Sequence, residues 1–80
     1  MTIEIVKANY LRDYTIGLEF SDGIVQVIDF EHFLSSAANN MTRKYLDKSL
    51  FKNFNIQYGD IVWNDYELCF PIWDLHQGKL

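Results

Sequence analysis

Two side chains near the end of the sequence, Cys69 and His76, could in principle form a reactive pair. They lie seven positions apart, and a thiol beside an imidazole is the arrangement of an activated nucleophile. Cys69 stands between two apolar residues in a predicted strand, where a free cysteine is usually a small buried hydrophobic side chain. His76 is expected on the surface, in a segment that frays. We therefore predict no catalytic residues.

Asp29, Glu31 and His32 offer the carboxylate and imidazole groups that bind divalent metals. The other histidine is 44 positions further on, and no paired Cys or His spacing completes a ligand set. The two carboxylates precede or begin a predicted helix, where its dipole favours negative charge. The four glycines stand singly rather than in a phosphate-binding loop. We expect no metal and no cofactor.

Four of the seven basic residues fall within ten consecutive positions: Arg43, Lys44, Lys48 and Lys52. Such a cluster is a candidate nucleic-acid contact, as in an autoregulator. The net charge of −4 repels phosphate backbones, and no aromatic platform is expected among these residues for stacking bases. Contact with nucleic acid is therefore the alternative hypothesis rather than the preferred one.

Aromatic residues concentrate between positions 61 and 75, where both tryptophans, the cysteine and the proline also lie. Large, stiff rings with polar neighbours are favoured anchors of protein interfaces. Trp63 alternates within a predicted strand and is expected in the core. The candidate protein interface consists of Tyr66, Phe70 and Trp73.

Composition indicates one small domain, residues 1–80, with 49% hydrophobic and 16% aromatic residues to build a core. A single cysteine cannot form an internal disulfide, which favours a reducing compartment. The N-terminal segment carries charges where an export signal needs an apolar run, and no run approaches the roughly 20 apolar residues that span a bilayer. We expect a cytoplasmic protein without a membrane segment.

The alternation of apolar residues predicts an α+β fold. Antiparallel hairpins or a meander occupy about residues 3–29 and 55–70, with short helices between them and at the C-terminus. A phase slip at Ile5 and Val6 indicates a β-bulge. Ser21-Asp22-Gly23 predicts a hairpin turn, Asn64-Asp65 a two-residue turn, and Pro71 the first position of a turn over residues 72–76.

Residues 42–54 permit two interpretations. Leu46, Leu50 and Phe54 recur every four positions, as in one helix whose N-cap is Thr42. Asp47 falls within that apolar arc, so the alternative is a break at which Asp47 caps a second short turn. We favour two turns, in which case the lysines do not form one continuous stripe.

Four segments, read in order, resemble domain-of-unknown-function family 2442, whose members are small and mostly prokaryotic. They are residues 14–23 (YTIGLEFSDG), 27–30 (VIDF), 46–51 (LDKSLF), and Val62-Trp63-Asn64 with Leu68 and residues 71–75. The resemblance covers nearly the whole chain. Asp65-Tyr66 departs from the glycine that the family commonly has after the tryptophan turn.

The resemblance implies an α+β domain with recurrent gene pairing, suggestive of toxin-antitoxin modules, and it supplies no catalytic residues. We predict a non-catalytic protein-interaction or regulatory module, the non-toxic partner in a two-gene system. The expected partner is another small protein encoded next door, and a homo-oligomer is a further possibility. An acidic body suits a basic partner.

Overall fold

Two small antiparallel sheets and four short helices make up the fold, which confirms the α+β class. The computed structural model describes residues 2–64 and 66–80. The elements in chain order are β1 (Ile5–Arg12), β2 (Thr15–Phe20), β3 (Val25–Asp29), α1 (Glu31–Ser36), α2 (Asn40–Arg43), a 3₁₀ turn (Lys44–Leu46), α3 (Lys48–Phe51), β4 (Phe54–Gln57), β5 (Asp60–Trp63), β6 (Leu68–Cys69) and α4 (Ile72–His76).

Sheet A has the strand order β1-β2-β3. The β1–β2 register shifts between Ile5 and Lys7, which confirms the predicted bulge. The β2–β3 turn is the predicted hairpin: Gly23 has φ +90°, and its N–H donates to the carbonyl oxygen of Phe20 at 2.9 Å. This is the three-residue loop whose last position requires a left-handed backbone, and Gly supplies it without a steric penalty.

Sheet B has the strand order β4-β5-β6. Tyr58 (φ +54°) and Gly59 (φ +83°) connect β4 to β5 as a two-residue loop with two left-handed positions. The hairpin region predicted over about residues 55–70 ends in a short strand, since within residues 66–70 only Leu68 and Cys69 pair with β5. The predicted Asn64-Asp65 turn includes Asp65, which lies outside the described residues.

The helical middle of the chain breaks at Asp47, as the favoured interpretation predicted. Asp47 is the N-cap of α3, and its carboxylate accepts the N–H of Ser49 at 3.0 Å. The predicted cap at Thr42 is wrong: Asn39 caps α2 by accepting the N–H of Met41 at 2.8 Å. The helix therefore starts earlier than the apolar spacing indicated, because the Asn39 side chain, directly before the helix, satisfies the free N–H of Met41.

The core is built around Trp63, which has no exposed surface and confirms the core prediction for this residue. Its indole N–H donates to the carbonyl oxygen of Phe51 at 2.7 Å, so the buried polar atom is satisfied. Rings from both halves of the chain lie with their centroids 5.7 to 6.2 Å from it: Phe30, Tyr45, Phe51, Phe54 and Phe70. Sheet A reaches the same cluster through Ile16, Leu18 and Phe20, all buried.

Candidate protein-interaction surface

The three aromatic residues predicted as an interface differ in exposure. Trp73 is 54% exposed and Tyr66 39%, whereas Phe70 is only 6% exposed. The Phe70 ring packs against Phe30 and Phe33, with centroids 5.1 and 4.9 Å away. Phe70 is therefore part of the core and offers no free surface. Strand alternation places Phe70 on the same side as Leu68 and opposite Cys69, which could have indicated that Phe70 points inward. Pro71 ends the strand directly afterwards, so the alternating pattern is too short to recognise.

Trp73 projects from α4, the helix predicted over residues 72–76 and confirmed there. Its ring centroid lies 5.6 Å from the ring of His76, one helical turn later. The His76 ring in turn packs edge-on against Phe20 of β2 at 5.0 Å. A continuous aromatic contact thus runs from the buried Phe20 to the exposed face of Trp73.

His76 connects α4 to sheet A through two polar contacts. Its Nε2 lies 2.8 Å from the Oδ2 of Asp22 in the β2–β3 turn. The side-chain amide of Gln26 on β3 donates to the backbone carbonyl oxygen of His76 at 2.7 Å. Bonds to the Asp22 carboxylate, from the N–H of Ile24 first and from His76 second, lower the pKa of that carboxyl. The expectation of a frayed surface histidine was wrong, because its partner is 54 positions away and leaves no local signal.

Strand β3 exposes two apolar side chains that the sequence reasoning did not select. Val25 is 61% exposed and Val27 59%. Both point to the face of sheet A opposite the core, because their β2 partners are Glu19 and Gly17 rather than the buried residues between them. The helix α4 contacts the other face of sheet A, through Phe20 and Gln26, so the two valines do not share a surface with Trp73. We call Asp22, Trp73 and His76 together the β3–α4 surface.

Tyr66 belongs to a different part of the molecule. It lies in the segment before β6, and its hydroxyl donates to the backbone carbonyl oxygen of Gln57 on β4 at 3.3 Å. Trp73, by contrast, reaches sheet A through His76. The two exposed aromatic candidates are therefore attached to different sheets.

The basic cluster is largely engaged within the fold. Arg43 donates to the carbonyl oxygen of Ser35. Lys44 pairs with Glu67 at 2.6 Å and Lys48 with Asp13 at 3.1 Å. The bond to Asp13 raises the pKa of Lys48.

Three lysines of this cluster also lie over tyrosine rings, a relationship that the sequence did not indicate. The ammonium of Lys44 is 5.5 Å from the Tyr45 ring centroid, and two further pairs join elements distant in the chain. These are Lys48 over Tyr14 at 5.8 Å and Lys52 over Tyr10 at 4.9 Å. Aromatic rings are thus interleaved with the lysines after all, but one face of each ring already carries a lysine ammonium.

A polar group next to this cluster contains a buried tyrosine. The hydroxyl of Tyr45 donates to the Oε1 of Glu67 at 2.6 Å. Burial, and then the Glu67 carboxylate, raise the pKa of Tyr45 to about 12. Lys44 first, and then Tyr45, lower the pKa of Glu67. Tyr45 therefore stays neutral and Glu67 charged near neutral pH, which suits a structural bond rather than proton transfer.

An open cavity of about 190 Å³ lies beside this pair, lined by Lys44, Tyr45, Leu50, Asn53 and Asn64. Ligand pockets usually enclose about 300 to 1,000 Å³. Among the described residues of its wall, the charged or titratable groups are Lys44, which is paired with Glu67, and the neutral Tyr45. These two groups do not form a nucleophile next to a base.

The remaining candidates for chemistry are not brought together. Cys69 is exposed, so the prediction of a buried cysteine is wrong: Leu68 and Phe70 point inward and Cys69 points outward. It pairs with Val62 in sheet B, whereas His76 contacts sheet A. Within residues 2–64 and 66–80, no three His, Cys, Asp or Glu side chains are grouped so that they could hold a metal ion.

Comparison of the chain with protein-family models, curated proteins and solved structures gave no match. The resemblance to family 2442 therefore remains a prediction. In the part of the chain that the structure describes, none of the helices has the length and apolar character needed to cross a membrane.

Proposed function

We propose that this chain is a non-catalytic protein-interaction module that binds its partner through the β3–α4 surface. The observation that carries the proposal is the placement of Trp73: half of its side chain is exposed, yet the helix that bears it is held against sheet A by His76. A large ring held in position before binding loses little conformational entropy on association. Tryptophan is also among the residues most enriched in binding hot spots.

The partner in this proposal is a small protein encoded next to the chain, as in toxin-antitoxin gene pairs. The resemblance to family 2442 supports the gene pairing. The net charge of −4 supports a basic partner, because opposite charge steers association and suppresses unsuitable partners. The chain would act as the non-toxic member, binding its partner rather than performing a reaction.

The test is co-expression with the neighbouring small protein, followed by measurement of the dissociation constant. Trp73→Ala should weaken the complex at least tenfold without unfolding the domain. Met41→Ala is the matched control, because Met41 is 51% exposed and lies in α2, away from this surface. A Trp73→Ala variant that folds and binds like the wild type would contradict the proposal. Tyr66→Ala shows whether the interface extends to sheet B.

A further inference from the structure

The outer edge of β3 carries backbone groups with which no other strand among the described residues pairs. Two backbone bonds at the ends of β3 set its hydrogen-bonding phase with β2. The N–H of Phe20 donates to the carbonyl oxygen of Ile24 at 2.9 Å, and the N–H of Phe30 donates to the carbonyl oxygen of Tyr14 at 2.8 Å. Hydrogen-bonded pairs alternate in an antiparallel ladder, so the N–H and C=O groups of Val25 and Val27 point away from β2. Within the described residues, no hydrogen bond to these outward groups is formed.

The outer face of sheet A next to this edge has a shallow apolar depression at Gly17. Val27 lies opposite Gly17 of β2, and Leu11, 46% exposed, approaches that glycine from the β1 side. Because Gly17 has no side chain, the exposed side of Val27 is not enclosed by a neighbour on β2. An additional strand beside β3 would place a side chain against Val27 and enlarge this apolar row.

Acidic residues predominate along β2 and β3, although Lys7 of β1 lies opposite Glu19 in the β1–β2 register. Residues 13–42 contain five acidic residues and no Lys or Arg. Glu19 lies opposite Val25 on the outer face, and Asp29 ends β3 on that same face, two residues after Val27. Both are exposed, and neither takes part in an ion pair among residues 2–64 and 66–80. A bound segment therefore gains most from positive charge at these two positions.

We propose that β3 takes up an extended segment of a basic partner protein as a fourth strand of sheet A. An apolar residue of that segment lies beside Val27, one Lys or Arg lies beside Asp29, and a second lies beside Val25, from where its side chain reaches across to Glu19 on β2. Backbone bonds to Val25 and Val27 supply affinity, and the alternate side chains supply specificity. This inference rests on the proposed function and specifies the chemistry of the partner.

A second copy of the chain suits this edge less well. In an antiparallel pair of β3 strands centred on Val27, Asp29 would lie opposite Val25 of the other copy, and each Asp29 would stay without a counter-charge. Each copy also carries a net charge of −4, so the two repel each other. A basic segment removes both penalties.

The probe for the test is a capped peptide, Lys-Thr-Val-Thr-Lys, which can place Val beside Val27 and a lysine on either side. The matched control is Glu-Thr-Val-Thr-Glu. Binding is followed through backbone amide NMR shifts at low and high salt. We expect the largest shifts and slowed hydrogen exchange at Val25 and Val27, with at least tenfold weaker binding of the acidic peptide and weaker binding of the basic one in salt.

Two variants separate the backbone contribution from the charge contribution. Val27→Pro removes the outward N–H together with the apolar valine side chain, at a position where an edge strand tolerates proline, and should abolish peptide binding. Glu19→Gln combined with Asp29→Asn removes both charges, and the asparagine retains the oxygen that accepts the N–H of Glu31. This double variant should bind the basic peptide at least tenfold more weakly and lose its salt dependence.

Three outcomes would overturn the inference: equal binding of both peptides, largest shifts outside β3, or concentration-dependent dimerisation that Val27→Pro abolishes. The last result would identify a second copy as the occupant. Failure of this inference is distinguishable from failure of the proposed function. If Trp73→Ala disrupts the complex with the neighbouring small protein and Val27→Pro does not, the chain is an interaction module that does not use the β3 edge.

Discussion

The imidazole Nε2 of His76 lies 2.8 Å from the carboxylate Oδ2 of Asp22, and this contact connects the last helix to the β2–β3 turn. The two side chains are 19% and 31% exposed, so water only partly screens the pair. The Trp73 ring packs edge-on against the same imidazole, with the ring centroids 5.6 Å apart. The position of the proposed anchor thus depends on a contact between residues 54 positions apart in the chain.

Asp22→Asn should loosen α4 while leaving the turn intact. Asparagine keeps the oxygen that accepts the N–H of Ile24 at 3.1 Å but lacks the charge that faces His76. We expect faster hydrogen exchange at the amides of Leu75 and Gly78, with unchanged exchange in β2. Asp74→Asn is the matched control, because Asp74 is an exposed carboxylate of α4 without an ion pair among the described residues. Equal effects of both substitutions would contradict the role assigned to Asp22.

The lowered pKa of Asp22 fixes the direction of a pH effect on stability. As the pH falls below the ordinary carboxyl value of 3.8, the unfolded chain takes up the proton first. The stabilisation from Asp22 is therefore present above that pH and is lost as the pH falls through the lower pKa of the folded state. Denaturant titrations of the wild type and of Asp22→Asn should accordingly converge in acid.

Tyr45 predicts an opposite effect in alkali. Its pKa is about 12 in the folded chain, against 10.0 for an ordinary tyrosine. Between these values the unfolded chain loses the proton and the folded chain keeps it, so the free energy of unfolding falls as the pH rises. Two pKa units correspond to about 2 to 3 kcal/mol. The stabilisation is complete below pH 10.

The measurement is the free energy of unfolding of the wild type and of Tyr45→Phe by denaturant titration. Both proteins are measured from pH 8 to pH 12 at intervals of about one pH unit. Other groups titrate in the same range and affect both proteins alike, so the difference between them isolates Tyr45. We expect the variant to lose less stability above pH 10. Parallel curves would show that the Tyr45 hydroxyl is not coupled to folding.

Trp63→Phe tests the centre of the core. The substitution removes ring volume and the indole N–H that donates to Phe51 at 2.7 Å. A buried cavity together with a lost buried hydrogen bond should cost about 2 to 4 kcal/mol. Chemical denaturation gives the value. Tyr66→Phe is the comparison on an exposed aromatic residue, and it should change stability by less than about 0.5 kcal/mol.

The sequence predicted most of the fold because its signals are local. Alternation indicated the strands, Ser21-Asp22-Gly23 the hairpin, and Asp47 the helix break, and each of these depends on residues a few positions apart. The misassigned cap at Thr42 and the misassigned burial of Cys69 were also local, but two local signals competed at each. Asn39 rather than Thr42 caps the helix. The alternation of β6 places Cys69 outward, although a free cysteine is usually buried.

The candidate surfaces were harder to predict, because their relationships are long-range. Trp73 was selected by residue type and is half exposed, whereas Phe70 of the same segment is in the core. Only the register of β2 and β3 shows that Val25 and Val27 point outward. The contact of His76 with Asp22 and the lysines over Tyr10 and Tyr14 join parts of the chain that no periodicity relates.

Tyr58 is in an unfavourable conformation for its residue type, which gives a final prediction. Its φ of +54° places it in the left-handed region, and its side chain is 91% exposed, so packing does not compensate. Asparagine followed by glycine is the preferred pair for this two-residue loop. Tyr58→Asn should therefore raise the free energy of unfolding by about 0.5 to 1 kcal/mol.

The neighbouring residue provides the opposite control. Gly59 has φ +83°, and a Cβ there would lie 2.7 Å from the Cγ of Glu4. The N–H of Ile5 also donates to the Gly59 carbonyl oxygen at 2.8 Å, so the loop is held close to β1. Gly59→Ala should thus destabilise the chain by more than about 1 kcal/mol. Thermal unfolding of both variants tests the loop geometry, and a Tyr58→Asn midpoint below that of the wild type would show that the exposed ring contributes to stability.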